Sequence, residues 1–203
     1  MFWDSVAWVY DIFANVINKK ANKALCAAVE KLIFPSDNVL ECACGTGLLT
    51  GVIVKRCKKL IATDFSANML KRAKKKYGKY DNVSFRQANI LKLGFPDECF
   101  DAVVAANVIH LLDDPHKALC ELERVCKTGG RIIIPTYMNR TEKGKTNKVS
   151  GAIGKAGADF KYEFTLESYK QFFANAGYKN AEYIMCDGKI PCAVAVLKKG
   201  EKG

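Results

Sequence analysis

The sequence predicts an α/β domain: a mostly parallel sheet of seven strands, helices on both faces, and an antiparallel hairpin at its C-terminal end. Three observations predict it. Apolar segments of strand length alternate with amphipathic helical segments, the pattern of βαβ crossovers. The first strand runs into the glycine turn Gly45-Thr46-Gly47 and then into a helix. The last two strand segments flank Asp187-Gly188-Lys189, which suits a hairpin turn.

Phe2, Val6, Val9, Tyr10, Phe13 and Ile17 recur at helical spacing, and a second helix carries Leu25, Ala28, Val29, Leu32 and Ile33 on one face. Pro35-Ser36-Asp37 breaks it, and residues 1–34 together read as a helical lid. Residues 38–43 form a buried strand, 48–57 a helix, and 59–64 the second strand. Ser66 is placed to cap a helix through Met69 and Leu70 to about Tyr77. Residues 82–88 and 100–106 are strands three and four. Asp114 followed by Pro115 starts a helix with Leu119, Leu122 and Val125 as its buried stripe. Gly129-Gly130 is expected to end that helix, and residues 131–135 to form the fifth strand. Residues 137–164 have four glycines and weak periodicity, and read as a long substrate-side loop. A last helix over 166–176, stopped by Gly177, precedes the hairpin strands 180–186 and 190–197.

With 203 residues and no interdomain linker, residues 1–203 read as one domain. No apolar run is long enough to span a bilayer. Asp4, Ser5, Asp11 and Asn15 interrupt the N-terminal apolar positions, which argues against a secretion signal and for a cytoplasmic chain. The nine cysteines are odd in number and scattered, so they are expected as reduced thiols. Without a Cys-x-x-Cys pair, and with only His110 and His116 as histidines, no metal is expected. The net charge of +11 favours anionic partners, a lysine-rich solvated surface being the plain alternative.

A strand entering Gly45-Thr46-Gly47 suits a nucleotide: the first glycine permits a tight turn, and the second is expected to let a ligand approach the backbone. Asp64 ends the next strand at the spacing of a ribose-binding carboxylate. Met69 lies one turn into the following helix, against a purine face or simply in the core. Ala88-Asn89-Ile90 ends the third strand, where an amide can meet the purine edge. Thr50 occupies the place of the third glycine of a dinucleotide site. Glu41 would repel a pyrophosphate but suits an ammonium group. These features argue against a nicotinamide dinucleotide.

The same residues resemble the class I S-adenosylmethionine-dependent methyltransferases over about residues 10–137. Val39-Leu40-Glu41-Cys42-Ala43-Cys44-Gly45-Thr46-Gly47 is similar to their first motif, and Thr63-Asp64-Phe65-Ser66-Ala67-Asn68-Met69-Leu70 to their ribose and adenine segment. The run from Phe100 through Asn107, Val108 and His110 resembles the strand and turn beside the transferred methyl, and Leu122 to Arg131 the approach to the fifth strand. The resemblance implies a Rossmann-like fold, S-adenosylmethionine as cofactor and S-adenosylhomocysteine as product. It assigns cofactor contacts to Tyr10, Glu41, Ala43, Gly45, Thr46, Gly47, Asp64, Phe65, Met69, Ala88, Asn89, Ile90, Asn107 and Val108. Asn89 departs from the family's usual aspartate, which implies weaker binding. His110 is either a general base or a histidine that shapes the pocket, and Asp101 reads as structural.

Within the family the chain looks closest to the small-molecule group that includes ubiquinone and menaquinone biosynthesis methyltransferases, which implies a small-molecule acceptor. Nucleic acid is disfavoured, because Ala106-Asn107-Val108-Ile109 is not the Asn-Pro-Pro-Tyr type used on base amino groups. A phospholipid-headgroup N-methyltransferase at the membrane surface is an alternative, since Phe2, Trp3, Trp8 and Phe13 precede the cluster Lys19, Lys20 and Lys23. A lid helix over the site is the preferred reading of that segment. A non-catalytic S-adenosylmethionine-binding domain is the third.

Overall fold

The computed structural model describes residues 18–138 and 161–202. The expected N-terminal helix, with Tyr10, and most of the loop expected over 137–164 lie outside the described residues. Seven strands form one sheet: β1 (Asn38–Cys42), β2 (Lys59–Asp64), β3 (Val83–Gln87), β4 (Phe100–Ala105), β5 (Cys126–Tyr137), β6 (Glu182–Cys186) and β7 (Cys192–Lys198). Their order is β3-β2-β1-β4-β5-β7-β6. The first five are parallel, and β7 runs antiparallel to both β5 and β6, as the hairpin pattern predicts.

Alternate residues of the central strands enter different cores. Leu40, Val103 and Ile132 pack with Leu119 and Leu122 of α4 (Pro115–Val125) and with Tyr169 and Phe173 of α5 (Leu166–Asn175). Val39, Val104 and Ile133 pack with Leu25 and Val29 of α1 (Lys19–Lys31) and Ile53 of α2 (Thr50–Ile53). On that same face Leu70 and Ala73 of α3 (Ala67–Tyr77) meet Ala62 and Cys44. A sheet buried on both faces needs apolar residues at every strand position, which is why these strands read as continuous runs.

The expected caps are present. Ser66 accepts from the Met69 N–H, and Asp114 accepts from the Lys117 N–H with Pro115 in the first turn. Asp101 is structural: it accepts from the Asn38 N–H and the Lys127 ammonium, tying the entry of β1 to β4. Asp37 accepts from the Phe34 N–H and from Arg131, whose guanidinium lies 4.0 Å from the Phe34 ring centroid. All nine cysteines carry free thiols.

Two boundaries differ from expectation. The helix expected over 48–57 is the single turn α2, because the Lys58 and Lys59 N–H groups both donate to the Asp37 carbonyl and pull the chain into β2. Gly129-Gly130 lies inside β5, not at a helix end. The helix stops at Val125, and the glycines serve an irregularity where the β4–β5 register shifts between Phe100 and Ala102. A Cβ on Gly130 would stand 2.8 Å from both the Cys126 sulfur and the Lys127 carbonyl, so only glycine fits there.

The start of α1 is tied to the far end of the chain. Asn18 donates to the Ile190 carbonyl and accepts from the Ile190 N–H, copying a strand pairing with one side chain. Gly188 completes the contact, since a Cβ there would stand 2.5 Å from Cβ of Ala21.

Candidate active site

The C-terminal ends of β1 to β4 border a cavity of about 290 Å3. Ala43 and Gly45 follow β1; Thr63 and Asp64 end β2, with Phe65 beyond them and Met69 from α3. Ala88, Asn89 and Ile90 follow β3, and Ala106, Asn107 and Val108 follow β4, with Leu111 and Leu112 beyond. The strand order reverses between β1 and β4, and open α/β sheets bind ligands in the crevice at such a switch point.

The backbone is bent at both sides of that switch. Ala43 has φ 53° and Asn107 φ 52°, the left-handed region that costs a residue with a Cβ roughly 1–2 kcal/mol. Asparagine tolerates it well; alanine does not. The bends are held by bonds to neighbouring strands: Cys44 N–H donates to the Thr63 carbonyl at 2.9 Å, and Asn107 N–H to the Pro135 carbonyl at 2.8 Å. Strain of this kind gathers where a fold must present backbone to a ligand.

Asp64 is aimed by the turn it faces. Its two oxygens accept from the Gly45 and Ser66 N–H groups, each at 2.8 Å. The carboxylate thus links the glycine turn of β1 to the cap of α3 while lining the cavity. A carboxylate can accept about four hydrogen bonds, so its capacity exceeds these two. Phe65 leaves half its surface exposed at the cavity, a flat apolar face beside Asp64. The Asn89 side-chain oxygen accepts from the Leu91 N–H, closing a local turn. The Asn107 side-chain oxygen is buried at the cavity wall with no hydrogen-bond partner, an orphaned acceptor.

The cavity's charge is opposite to that of the protein. Among the described residues that line it there is one carboxylate, Asp64, and no Lys, Arg or His. A pyrophosphate would meet no cation there and one anion. The wall offers acceptors at Asp64 and Asn107 and apolar surface at Phe65, Met69, Ile90 and Val108, a set suited to a neutral or cationic ligand.

Several expected contacts lie elsewhere. Glu41 is buried beneath the turn, off the cavity lining, and accepts from the Thr50 hydroxyl at 2.6 Å. Burial pushes its carboxyl up to about 8. Thr46 is buried and also off the lining. Gly47 has a packing reason beside the expected one. A Cβ at Gly47 would meet the Tyr77 ring at 2.7 Å, so the close approach of α3 also requires this glycine. A Cβ at Gly51 would meet the same side chain, 2.6 Å from its hydroxyl. His110 sits in a one-turn 3-10 helix between the lining residues Val108 and Leu111 but is itself buried and off the lining. Desolvation lowers its pKa to about 4, so the ring is neutral at physiological pH. Its carbonyl accepts from the Lys161 and Tyr162 N–H groups, pinning the chain that enters α5. Thr63, Ala106, Leu111 and Leu112 line the cavity without having been expected. Thr63 was readable as the neighbour of Asp64, and Leu111-Leu112 as an apolar pair falling between strand and helix.

Fold and cavity together define a Rossmann-like α/β protein with a nucleoside cleft at its switch point. A family described as a methyltransferase domain matches residues 40–134. The phosphatidylethanolamine N-methyltransferase of Cereibacter sphaeroides is 31% identical over 167 residues, covering 81% of this chain and 77% of that protein. The ubiquinone/menaquinone biosynthesis C-methyltransferase of Psychromonas ingrahamii is 29% identical, covering 92% of this chain and 84% of its own length. Among solved structures, an S-adenosylmethionine-dependent methyltransferase from Thermotoga maritima shares the fold with a TM-score of 0.73 at 20% identity, over 97% of this chain and 99% of that one. The chain belongs to the class I S-adenosylmethionine-dependent methyltransferases. It is an enzyme that takes its methyl group from S-adenosylmethionine and leaves S-adenosylhomocysteine.

Proposed function

We propose that this enzyme methylates a small-molecule acceptor by in-line displacement. Asp64 holds the ribose hydroxyls of the cofactor, and Phe65, Met69 and Ile90 enclose its purine. Asn107 accepts from its ammonium group. The observation that carries the reading is a cavity lined, among the described residues, by one carboxylate and no cation, inside a protein of net charge +11. That polarity suits an adenosyl sulfonium and opposes a dinucleotide.

The cofactor supplies an already activated methyl carbon. The chain's own task is alignment, which can supply roughly 7–11 kcal/mol of a barrier. His110 acts as a positioning residue in this scheme: its ring is neutral and off the cavity wall, and its carbonyl fixes Lys161 and Tyr162 near Leu111 and Leu112. The acceptor enters on this β4 side, beyond the purine and ribose positions.

Calorimetry with S-adenosylmethionine, S-adenosylhomocysteine and NAD tests the cofactor assignment. Heat with the first two and none with NAD is expected; binding of NAD alone would sink it. A methyl-transfer screen over phenols, quinols, thiols, amines and phospholipid headgroups then assigns the acceptor. A headgroup amine is the second reading, favoured by the 31% identity to a phosphatidylethanolamine N-methyltransferase across most of both chains.

A further inference from the structure

The chain's positive charge is gathered in one stretch. Residues 55–92 hold twelve Lys and Arg against two Asp, Asp64 and Asp81, and so carry ten of the chain's net eleven positive charges. All twelve cations are exposed. One of the two acids, Asp64, is engaged with the Gly45 and Ser66 N–H groups at the cavity.

The fold brings this stretch onto one flank. β3 is the edge strand, β2 its neighbour, and α3 packs over both. The outer face of α3 presents Lys71, Arg72, Lys74, Lys75 and Lys76 around its buried stripe of Met69, Leu70 and Ala73. The Asn82 amide donates to the Val54 and Cys57 carbonyls, and the Leu60 N–H to the Asn82 carbonyl. Those bonds hold the Lys55–Lys59 turn beside the entry of β3, close to Lys79 and the last turn of α3. Elsewhere cations meet acids in pairs: Arg124 with Asp97, Lys127 with Asp101, Lys199 with Glu98 and Lys202 with Glu123. Along 55–92 the sequence supplies one acid outside the cavity, Asp81, against twelve cations.

We propose that the β2–α3–β3 flank docks the enzyme on an anionic lipid surface. The composition of the flank selects this partner over nucleic acid. Nine of the twelve cations are Lys, compact point charges on flexible stems, and three are Arg, the residue suited to bidentate phosphate recognition. Single-stranded nucleic acid also calls for exposed aromatic rings on which bases stack. Phe65 is the one large apolar side chain exposed within this stretch, and it belongs to the cavity wall. A broad field of lysines spread over a helix face and a sheet edge matches the diffuse charge of lipid headgroups. The proposal is independent of which acceptor is methylated.

The test is co-sedimentation of the full chain with phosphatidylcholine vesicles, with and without phosphatidylglycerol. Three full-length proteins are compared: the parent, K74Q/K75Q/K79Q on the flank, and K19Q/K20Q/K23Q on α1 with the same net charge. S-adenosylmethionine calorimetry and melting curves establish that each is folded. Each lysine near a charged bilayer contributes about fivefold to partitioning, so the flank variant is expected to lose on the order of a hundredfold in affinity for phosphatidylglycerol vesicles. The α1 variant is expected to lose far less, and salt should release the parent. Equal losses in both variants, or no binding of the parent to phosphatidylglycerol vesicles, would overturn the proposal. So would retention by transfer RNA at a salt concentration that frees the vesicles, which would assign the flank to nucleic acid.

Discussion

Glu41 gives this enzyme a stability that falls as pH rises, and replacing it by Gln should remove the fall. Its carboxyl is buried, its hydrogen bond comes from the Thr50 hydroxyl, and desolvation lifts it from an ordinary 4.5 to about 8. A group whose folded pKa lies above its unfolded value contributes fully below the unfolded pKa. The contribution then drains away up to the folded pKa. The rate is about 1.4 kcal/mol per pH unit between those limits. The folded state therefore loses on the order of 1 kcal/mol by about pH 5 and 4 kcal/mol by about pH 8. Gln keeps an oxygen for Thr50 and does not titrate; its extra buried N–H imposes a roughly constant penalty of about 1–3 kcal/mol. The readout is thus the difference between parent and variant, followed by urea unfolding from about pH 5 to about pH 8. That difference should move by about 3 kcal/mol in favour of the variant. His110, lowered to about 4, makes stability fall as pH drops below about 6.5, the opposite trend. It contributes equally to both proteins and cancels. Parallel stability profiles for parent and E41Q would refute the argument.

Four further outcomes are expected. Asp64→Ala removes the acceptor of two N–H groups and the proposed ribose contacts, so S-adenosylmethionine affinity by calorimetry should fall about tenfold or more; unchanged affinity would mean the sugar lies elsewhere. Ala43→Gly relieves a left-handed alanine at the cavity and should raise unfolding stability by up to about 1 kcal/mol, seen as a higher urea midpoint. Gly51→Ala drives a methyl into the Tyr77 ring and should cost about 1–3 kcal/mol, with much of the loss recovered in G51A/Y77L; additive losses would rule out this contact as the cause. His110→Gln should lower kcat by less than about tenfold, whereas loss of a true general base costs about 10²–10⁴.

The central strands were legible because each is buried on both faces and so reads as an unbroken apolar run, whereas the edge strands β3 and β6 are largely exposed. Asp64, Met69, Asn89 and Asn107 were legible because the ends of successive parallel strands converge at one place. The left-handed bend at Ala43 was not, since the residue that usually signals it, glycine, is absent there. Gly129-Gly130 was misread because a glycine pair after a helix serves equally as a helix stop or as a strand irregularity, and only pairing with β4 and the Lys199 backbone decides between them. The packing role of Gly47 was not legible, because its contact with Tyr77 joins segments distant in sequence. Glu41 was legible as the acid opening the glycine turn, but its burial off the cavity lining was not.

The position of β7 has a consequence for how the chain is made. It is the last strand in sequence, yet it lies between β5 and β6, pairing with both. Until it is synthesised, one long side of β5 stays open, and the Asn18 clasp has no Ile190 to grip. The cofactor half of the molecule can therefore assemble first on the ribosome, while the nascent β5 edge offers itself to any passing strand. Insertion of β7 seals that edge and locks α1 in a single late step, so truncations that spare every cavity residue should still yield an aggregating protein.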